Sequence, residues 1–385
     1  MFKINPKNKF YLLKQNNKFC AVPWSLLYVH PDGKVSTCVY GNDILGNLNR
    51  DSIEDILYNQ KRANIKQNML NEVASENCKL CLSLENNGNG QENYHYLRNN
   101  YNELLRDLDI NYYNTNKFVL GALDLHWSSV CDLKCVTCWA KQSSSIAKEQ
   151  GLPVLHLSND RANAFIDWIV ANQTTLKEIY LSGGEPTLIK YNLRLLEKIK
   201  KRFDLQIRVN SNLMWDQNNA IVNEILKFPN VLFTCSADST GQKFEYIRRG
   251  GSWAKFLENL KFLQSHSHIR IRINSVFSVL TANDFVDTID FFKNNLNITD
   301  FTVNQCGMGH TYLRARNLPA ETKNKCQLTL EQAIEYYHSD LSLVGQLKNC
   351  LKELGYIGNE SYVDFLENID RLAGTDWKAT FKELS

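Results

Sequence analysis

From Phe118 onward, short apolar runs alternate with amphipathic stretches of helical period. The runs at 118–126, 178–182, 205–210, 231–236, 269–277 and 300–305 read as strands. Between them, Leu196, Ile199 and Phe203 fall on one helical face. Trp253, Phe256, Leu257, Leu260 and Leu263 form a second such face after a candidate cap at Ser252. Phe285, Ile289, Phe292 and Leu296 form a third after Asp284. Each spacing matches a helix with one buried stripe. Regular strand–helix alternation predicts parallel strands joined by right-handed crossovers. About six such units make a partial α/β barrel, a (β/α)6 arrangement, not a closed eight-unit one. Beyond this alternation no repeat of fixed period is evident.

The flanking regions follow other patterns. Tyr28 to Cys38 reads as a hairpin turning at Asp32-Gly33, and a helical segment is expected near Ile53–Ile65. Glu85 to Asn93 is polar and glycine-containing, a loop or linker. Residues from about 94 to 115, rich in Tyr, Asn and Leu, suit a bridging helix. Four regions result: a cysteine-rich α+β domain over 1–95, a linker over 96–116, the partial barrel over 117–315 and a mainly helical region over 316–385.

Composition narrows the class. The 385 residues are 43% hydrophobic and 22% charged, an ordinary globular balance. A formal charge of +3 gives no support for a nucleic-acid partner. Lys3, Lys7, Lys9, Lys14 and Lys18 face no acid and read as a solvated terminus. No apolar run is long enough to cross a bilayer, and the first residues lack the apolar core of a secretory signal. Eleven cysteines, an odd number without an export signal, fit metal or redox chemistry in a reducing compartment better than a disulfide framework. A cytoplasmic protein is expected.

The chemistry concentrates in Cys131-Asp-Leu-Lys-Cys135-Val-Thr-Cys138, directly after the first strand of the alternating region. Three thiolates on one short loop can hold three irons of a four-iron, four-sulfur cluster and leave the fourth iron open to a small molecule. A structural zinc site normally closes with a fourth protein ligand, although zinc could use similar spacing. Ser182-Gly183-Gly184-Glu185-Pro186 ends the second strand. Asn210-Ser211-Asn212 ends the third, and Ser236-Ala237-Asp238 the fourth. Chemistry in parallel barrels sits beyond the strand C-termini, where these residues fall.

Over residues 117–315 this arrangement resembles the radical S-adenosylmethionine (radical SAM) enzymes. The resemblance implies a 4Fe–4S cluster on Cys131, Cys135 and Cys138, with S-adenosylmethionine binding its open iron. It implies that Gly183, Gly184 and Glu185 meet the ligand's amino group, glycine allowing close backbone approach. Asn212, Ser236 and Asp238 are candidates for the ribose hydroxyls. Arg248, or its neighbour Arg249, is the candidate for the ligand's carboxylate. The implied reaction is reductive cleavage of S-adenosylmethionine to a 5′-deoxyadenosyl radical that takes hydrogen from a substrate. An electron donor such as flavodoxin or ferredoxin is then required. One departure is Thr137, where family members often carry an aromatic residue; here the aromatic is Trp139.

Cys20 and Cys38, with Gly33 between them, precede Cys78-Lys-Leu-Cys81. Four thiolates can close a second iron–sulfur cluster or a zinc site. The set resembles the auxiliary-cluster module called SPASM or twitch, though in many relatives that module follows the barrel. The resemblance implies an electron relay or docking surface and favours a peptide, a protein or a small metabolite as substrate. A nucleic-acid-modifying enzyme of the same chemistry would show a basic stripe, which is not seen. A non-catalytic iron–sulfur or zinc scaffold would need no Gly-Gly-Glu turn. Cys235 and Cys306, at candidate strand ends, could donate a hydrogen atom, or serve as small buried hydrophobes. His126 reads as a core histidine, and Asp370-Arg371 as a solvated helix face or as a pair that helps close the open barrel edge.

Overall fold

The computed structural model describes residues 16, 18–39, 41, 43–73, 75–79, 81, 96–104, 106, 108 and 114–384. Lys3, Lys7, Lys9, Lys14 and the polar stretch 85–93 lie outside them. The chain divides into two compact units, Met1–Val130 with Leu155–Val209 and Ala220–Val231, and Cys131–Val154 with Asn210–Asn219 and Leu232–Ser385.

The first unit is built on β1 (Leu26–Val29), β2 (Lys34–Ser36), β3 (Gly46–Asn47), β4 (Ala122–Leu125), β5 (Glu178–Leu181) and most of β6 (Gln206–Ser211). Their order is β3-β2-β1-β4-β5-β6. The hairpin expected between Tyr28 and Cys38 is present, pairing Tyr28 with Ser36 and Val29 with Val35. Gly33 turns it at φ +81°, where a Cβ would meet Asn49 Nδ2 at 2.7 Å and Asn47 Oδ1 at 2.8 Å. The sequence pattern did not place β1 in the parallel sheet. It pairs parallel with β4, Leu26 opposite Ala122 and Val29 opposite Leu125. Leu-Leu-Tyr-Val is apolar or aromatic on both faces, and all four residues are buried, as an interior parallel strand requires. β4, β5 and β6 continue in parallel, in chain order.

Two capped helices, Ile53–Leu57 and Gln60–Leu70, fill the expected helical segment. Ser52 and Asn59 accept the N–H groups of Asp55 and Arg62. The helix Lys190–Lys198 ends before Phe203, which is 83% exposed. Phe203 therefore does not share a buried face with Leu196 and Ile199.

The second unit carries β7 (Val231–Ser236), β8 (Ile269–Phe277) and β9 (Phe301–Gln305), in that order. β8 and β9 are parallel, with Ile273 opposite Phe301. Every residue of β7 is buried. The helix Trp253–Gln264 starts at Ser252, whose side chain accepts the N–H of Lys255, and it buries Phe256, Leu260 and Leu263. Asp284 does not cap Phe285–Asp290; its carboxylate meets Lys243 instead. The helical C-terminal region is found as Ala320–Tyr336, Leu341–Gly355 and Val363–Ala373. There Asp370 is only half-buried but well bonded, accepting from Tyr246 Oη at 3.0 Å and from the N–H of Trp377 at 2.8 Å, while Arg371 is exposed. No described helix is long and apolar enough to cross a membrane.

Candidate active site

Leu133 and Val136 explain how the three-cysteine loop is held in the second unit. Each is 1% exposed, and their inward burial leaves Cys131, Cys135 and Cys138 partly exposed. The loop backbone is pinned from one side: Lys134 N–H donates to Arg249 O at 2.9 Å, and Val136 N–H to Ile247 O at 2.7 Å. Three serines pin it from another. Ser144 Oγ accepts the N–H of Cys131 at 3.0 Å, Ser145 Oγ donates to its carbonyl at 2.8 Å, and Ser143 Oγ donates to Leu133 O at 2.6 Å. The Ser143-Ser144-Ser145 run was visible in the sequence, but nothing there tied it to the cysteines.

Charge around the loop is ordered. Arg248 Nη1 lies 3.9 Å from Cys135 Sγ, and its Nη2 lies 3.0 Å from Asp238 Oδ2. Burial opposes the Arg248 charge, but Asp238 and the Cys135 sulfur outweigh it and hold the guanidinium above its usual range. Burial pushes the Cys135 thiol up, while Arg248 pulls it back. Cys138 is pushed up to about 12, first by burial and then by the neighbouring Cys135. Arg249 has a different occupation. It binds Glu149 through Nη1 at 3.3 Å and Nη2 at 2.7 Å, and Lys134 joins the same carboxylate. Of the two candidate arginines, Arg248 is the one beside the cysteines.

The strand-end residues divide in the same way. Asn212 Nδ2 donates to Asp132 Oδ1 at 2.8 Å, next to Cys131 in the chain. Ser236 Oγ donates to Asn210 Oδ1 at 3.3 Å. Asp238 is buried, its Oδ1 accepting Val276 N–H at 2.8 Å and its Oδ2 facing Arg248. It holds the arginine in place. His310 had no place in the sequence reading. Its Nε2 donates to Cys138 O at 2.9 Å, and Nδ1 then faces the Tyr312 hydroxyl. Trp139 is 40% exposed and flanked by Gly307 and Gly309, where an added Cβ would stand 3.6 Å from the indole. Cys235 and Cys306 are buried, at 0% and 2% exposure, as are Cys326 and Cys350.

The Gly183-Gly184-Glu185 turn belongs to the first unit. Gly184 N–H donates to Ser128 O at 3.1 Å and Glu185 N–H to Val130 O at 2.7 Å, so the turn lies flat on segment 128–130. A Cβ on Gly184 would sit 2.1 Å from Val130 O, and one on Gly183, at φ +108°, 2.7 Å from Ser128 O. Only glycine fits this cradle. Glu185 is 2% exposed and its Oε1 accepts from Thr187 N–H and Oγ1 at 3.1 and 2.7 Å.

The first four cysteines also converge within the first unit. Burial raises the Cys20 thiol, and Cys78 and Cys38 raise it further. Burial pushes Cys78 up to about 12, with Cys38 and Cys81 adding to the effect. Such buried thiols resist ionisation while bare, and a bound metal centre would hold them as thiolates. Among the described residues no set of three or more Cys, His, Asp or Glu side chains closes around a single ion. An iron–sulfur cluster would spread its thiolates over more than one iron, so the four sulfurs need not converge on one point.

Two family models match the chain. The radical SAM superfamily model covers residues 125–292, and the SPASM model, an iron–sulfur cluster-binding domain, covers residues 20–82. Residues 125–292 of the chain thus carry a radical SAM domain. The chain carries its SPASM domain N-terminal to the radical SAM domain, and its cofactors are 4Fe–4S clusters and S-adenosylmethionine. A GTP 3′,8-cyclase of Peptoclostridium acidaminophilum is 27% identical over 150 residues, 38% of this chain. The chain spans only 43% of that cyclase's length. Among solved structures, anSMEcpe with bound AdoMet is 17% identical with a TM-score of 0.44, covering 59% of this chain and 62% of that one. Streptococcus suis SuiB bound to precursor peptide SuiA is 16% identical with a TM-score of 0.43, covering 72% of this chain and 60% of that one.

Proposed function

We propose that this chain is a radical SAM enzyme that modifies a peptide, with Cys131, Cys135 and Cys138 holding the cluster that binds S-adenosylmethionine. The carrying observation is the pinned loop, which presents three half-buried thiols beside one buried arginine. When bound, the cluster supplies the electron that breaks a carbon–sulfur bond of the sulfonium. The chain's own residues place the ligand and shield it. Arg248, fixed by Asp238, offers a guanidinium to the ligand's carboxylate, and its planar fork suits that partner. Gly183 and Gly184 bring backbone close to the amino group, and Glu185 fixes their turn while adding negative charge. Asn212 and Ser236 remain the ribose candidates, with Asp238 acting through Arg248. Cys20, Cys38, Cys78 and Cys81 hold the auxiliary cluster. A flavodoxin or ferredoxin supplies electrons. The peptide class rests on the cluster-binding SPASM domain alone.

Anaerobic reconstitution followed by dithionite and S-adenosylmethionine tests the reading. About eight irons per chain are expected, with 5′-deoxyadenosine and methionine as products. Cys135→Ala should retain about four irons and form neither product. Intact clusters in the unaltered protein without cleavage would reject the assignment. Candidate peptides encoded beside this gene, assayed by mass spectrometry, test the substrate class; modification only of small metabolites would reject the peptide.

A further inference from the structure

The sheet of the first unit carries polar groups where parallel sheets usually carry aliphatic ones. Register places Tyr28 of β1, Asp124 of β4 and Tyr180 of β5 side by side. Two residues further along each segment come His30, His126 and Ser182. Ser182 Oγ accepts the N–H of Gly183 at 2.7 Å and shares a hydrogen bond with His126 Nε2 at 2.8 Å. That imidazole nitrogen also lies 2.9 Å from Asp124 Oδ1. The Tyr28 ring packs at a tilt against His126, with ring centroids 4.7 Å apart. Tyr28 also meets His30 edge-on, with ring centroids 4.5 Å apart. His30 Nε2 shares a hydrogen bond with Ser36 Oγ at 3.1 Å, and Ser36 Oγ donates to Cys38 O at 3.0 Å.

These contacts form one unbroken line of packed groups. It starts at the backbone of Cys38, a thiol of the auxiliary set, and ends at the N–H of Gly183, in the ligand-binding turn. Every member lies within the first unit. The arrangement depends on β1, which the SPASM match contains and which pairs with β4, the strand that leads into the radical SAM match. His126 is 13% exposed at its side chain and Asp124 7%, so neither group is a solvated surface residue.

We propose that Tyr28 and His126 are positioning residues that couple the auxiliary cysteine site to the Ser182–Gly183 turn, so that a filled auxiliary site tightens binding of S-adenosylmethionine. This rests on the function proposed above. Ser182 sets the direction of the Gly183 N–H. His126 sets Ser182, assisted by the Tyr180 hydroxyl, which also reaches Ser182. Tyr28 sets the plane of His126, and the hairpin that carries Cys38 sets Tyr28. Such coupling is a free energy shared by two sites.

The test measures the Kd for S-adenosylmethionine in anaerobically reconstituted full-length enzyme, with iron content and thermal unfolding recorded for each variant. His126→Phe retains an aromatic ring under Tyr28 but cannot bond Ser182. It should raise Kd about tenfold, the scale of one net hydrogen bond. Ser182→Ala should do the same, and the double variant should be no weaker than either single one. His126→Gln, which restores a hydrogen-bonding group, should recover most of the affinity. Cys20→Ala/Cys78→Ala, emptying the auxiliary site, should weaken binding in the native background but not in Tyr28→Leu. The coupling is overturned if His126→Phe, with full iron, binds within twofold of the unaltered enzyme. Multiplying effects in the double variant, or equal weakening by the auxiliary substitutions in both backgrounds, would overturn it as well. Failure of the unaltered enzyme to bind the ligand would instead reject the site assignment itself.

Discussion

Arg248 carries its charge where burial opposes it, and the Asp238 carboxylate keeps it there. Its side chain is 10% exposed and that of Asp238 is 0% exposed. Removing one member of a buried pair leaves the other's charge uncompensated, at a cost of about 3–5 kcal/mol. Arg248→Gln should therefore lower the unfolding free energy by that order in denaturant titrations of the metal-free protein. A loss under about 1 kcal/mol, the range of an exposed pair, would show that solvent already screens Asp238. The sequence marked both residues as candidates, but gave them separate roles. They are ten positions apart, at the end of β7 and the end of the helix Gly241–Ile247, and no local period relates such positions. His310 was illegible for a stronger reason. Its partner, the Cys138 carbonyl, is 172 residues away, and a backbone acceptor has no sequence signature.

Elements show where sequence pattern suffices. β7 and β8 were read with their observed limits, because continuous or alternating apolar runs are bounded by turn formers. The helix ending at Lys198 was read too far, because Phe203 keeps the spacing while the chain has already left the helix. The Gly183-Gly184 turn was legible as a motif; the reason for glycine is visible only in the backbone it touches. Gly184→Ala would force a methyl within 2.1 Å of Val130 O, so the turn must lift from segment 128–130. Ligand affinity should fall at least tenfold with iron content unchanged, as read by equilibrium binding. The helix Gln60–Leu70 gives a pH prediction. It buries Lys66, which donates to Thr115 O at 3.1 Å and Lys117 O at 2.6 Å, and burial, aided by Arg62, lowers its pKa to about 7. The unfolded lysine titrates near about 10.4. Between these values the unfolded chain binds the extra proton, so this residue's contribution to stability rises with pH from about 7 to about 10. The native-minus-Lys66→Met difference in unfolding free energy should therefore grow across that window. A flat difference would mean that Lys66 titrates normally in the fold.

At the scale of the molecule, the N-terminal position of the SPASM domain has a structural consequence. Cysteine spacing suggested a separate domain over residues 1–95, and a chain cut there would then leave a working barrel. The sheet argues otherwise. β1 supplies the parallel partner of β4, and Trp24 and Ser25 carbonyls accept the N–H groups of Val119 and Gly121. Removing residues 1–95 would expose the backbone of a strand, Ala-Leu-Asp-Leu, whose four residues are all buried. Unpaired strand edges of that kind associate with other chains. It would also uncover Asp124 and His126 by deleting Tyr28. A chain beginning at residue 96 should accordingly be aggregated in size-exclusion chromatography and fail to hold iron on Cys131, Cys135 and Cys138. A chain beginning after Asn16 but before Phe19 retains β1 and should stay monodisperse with both iron centres. Recovery of a monomeric 96–385 fragment that cleaves S-adenosylmethionine would show that β4 tolerates an open edge, and that β1 adds regulation to a barrel already complete without it.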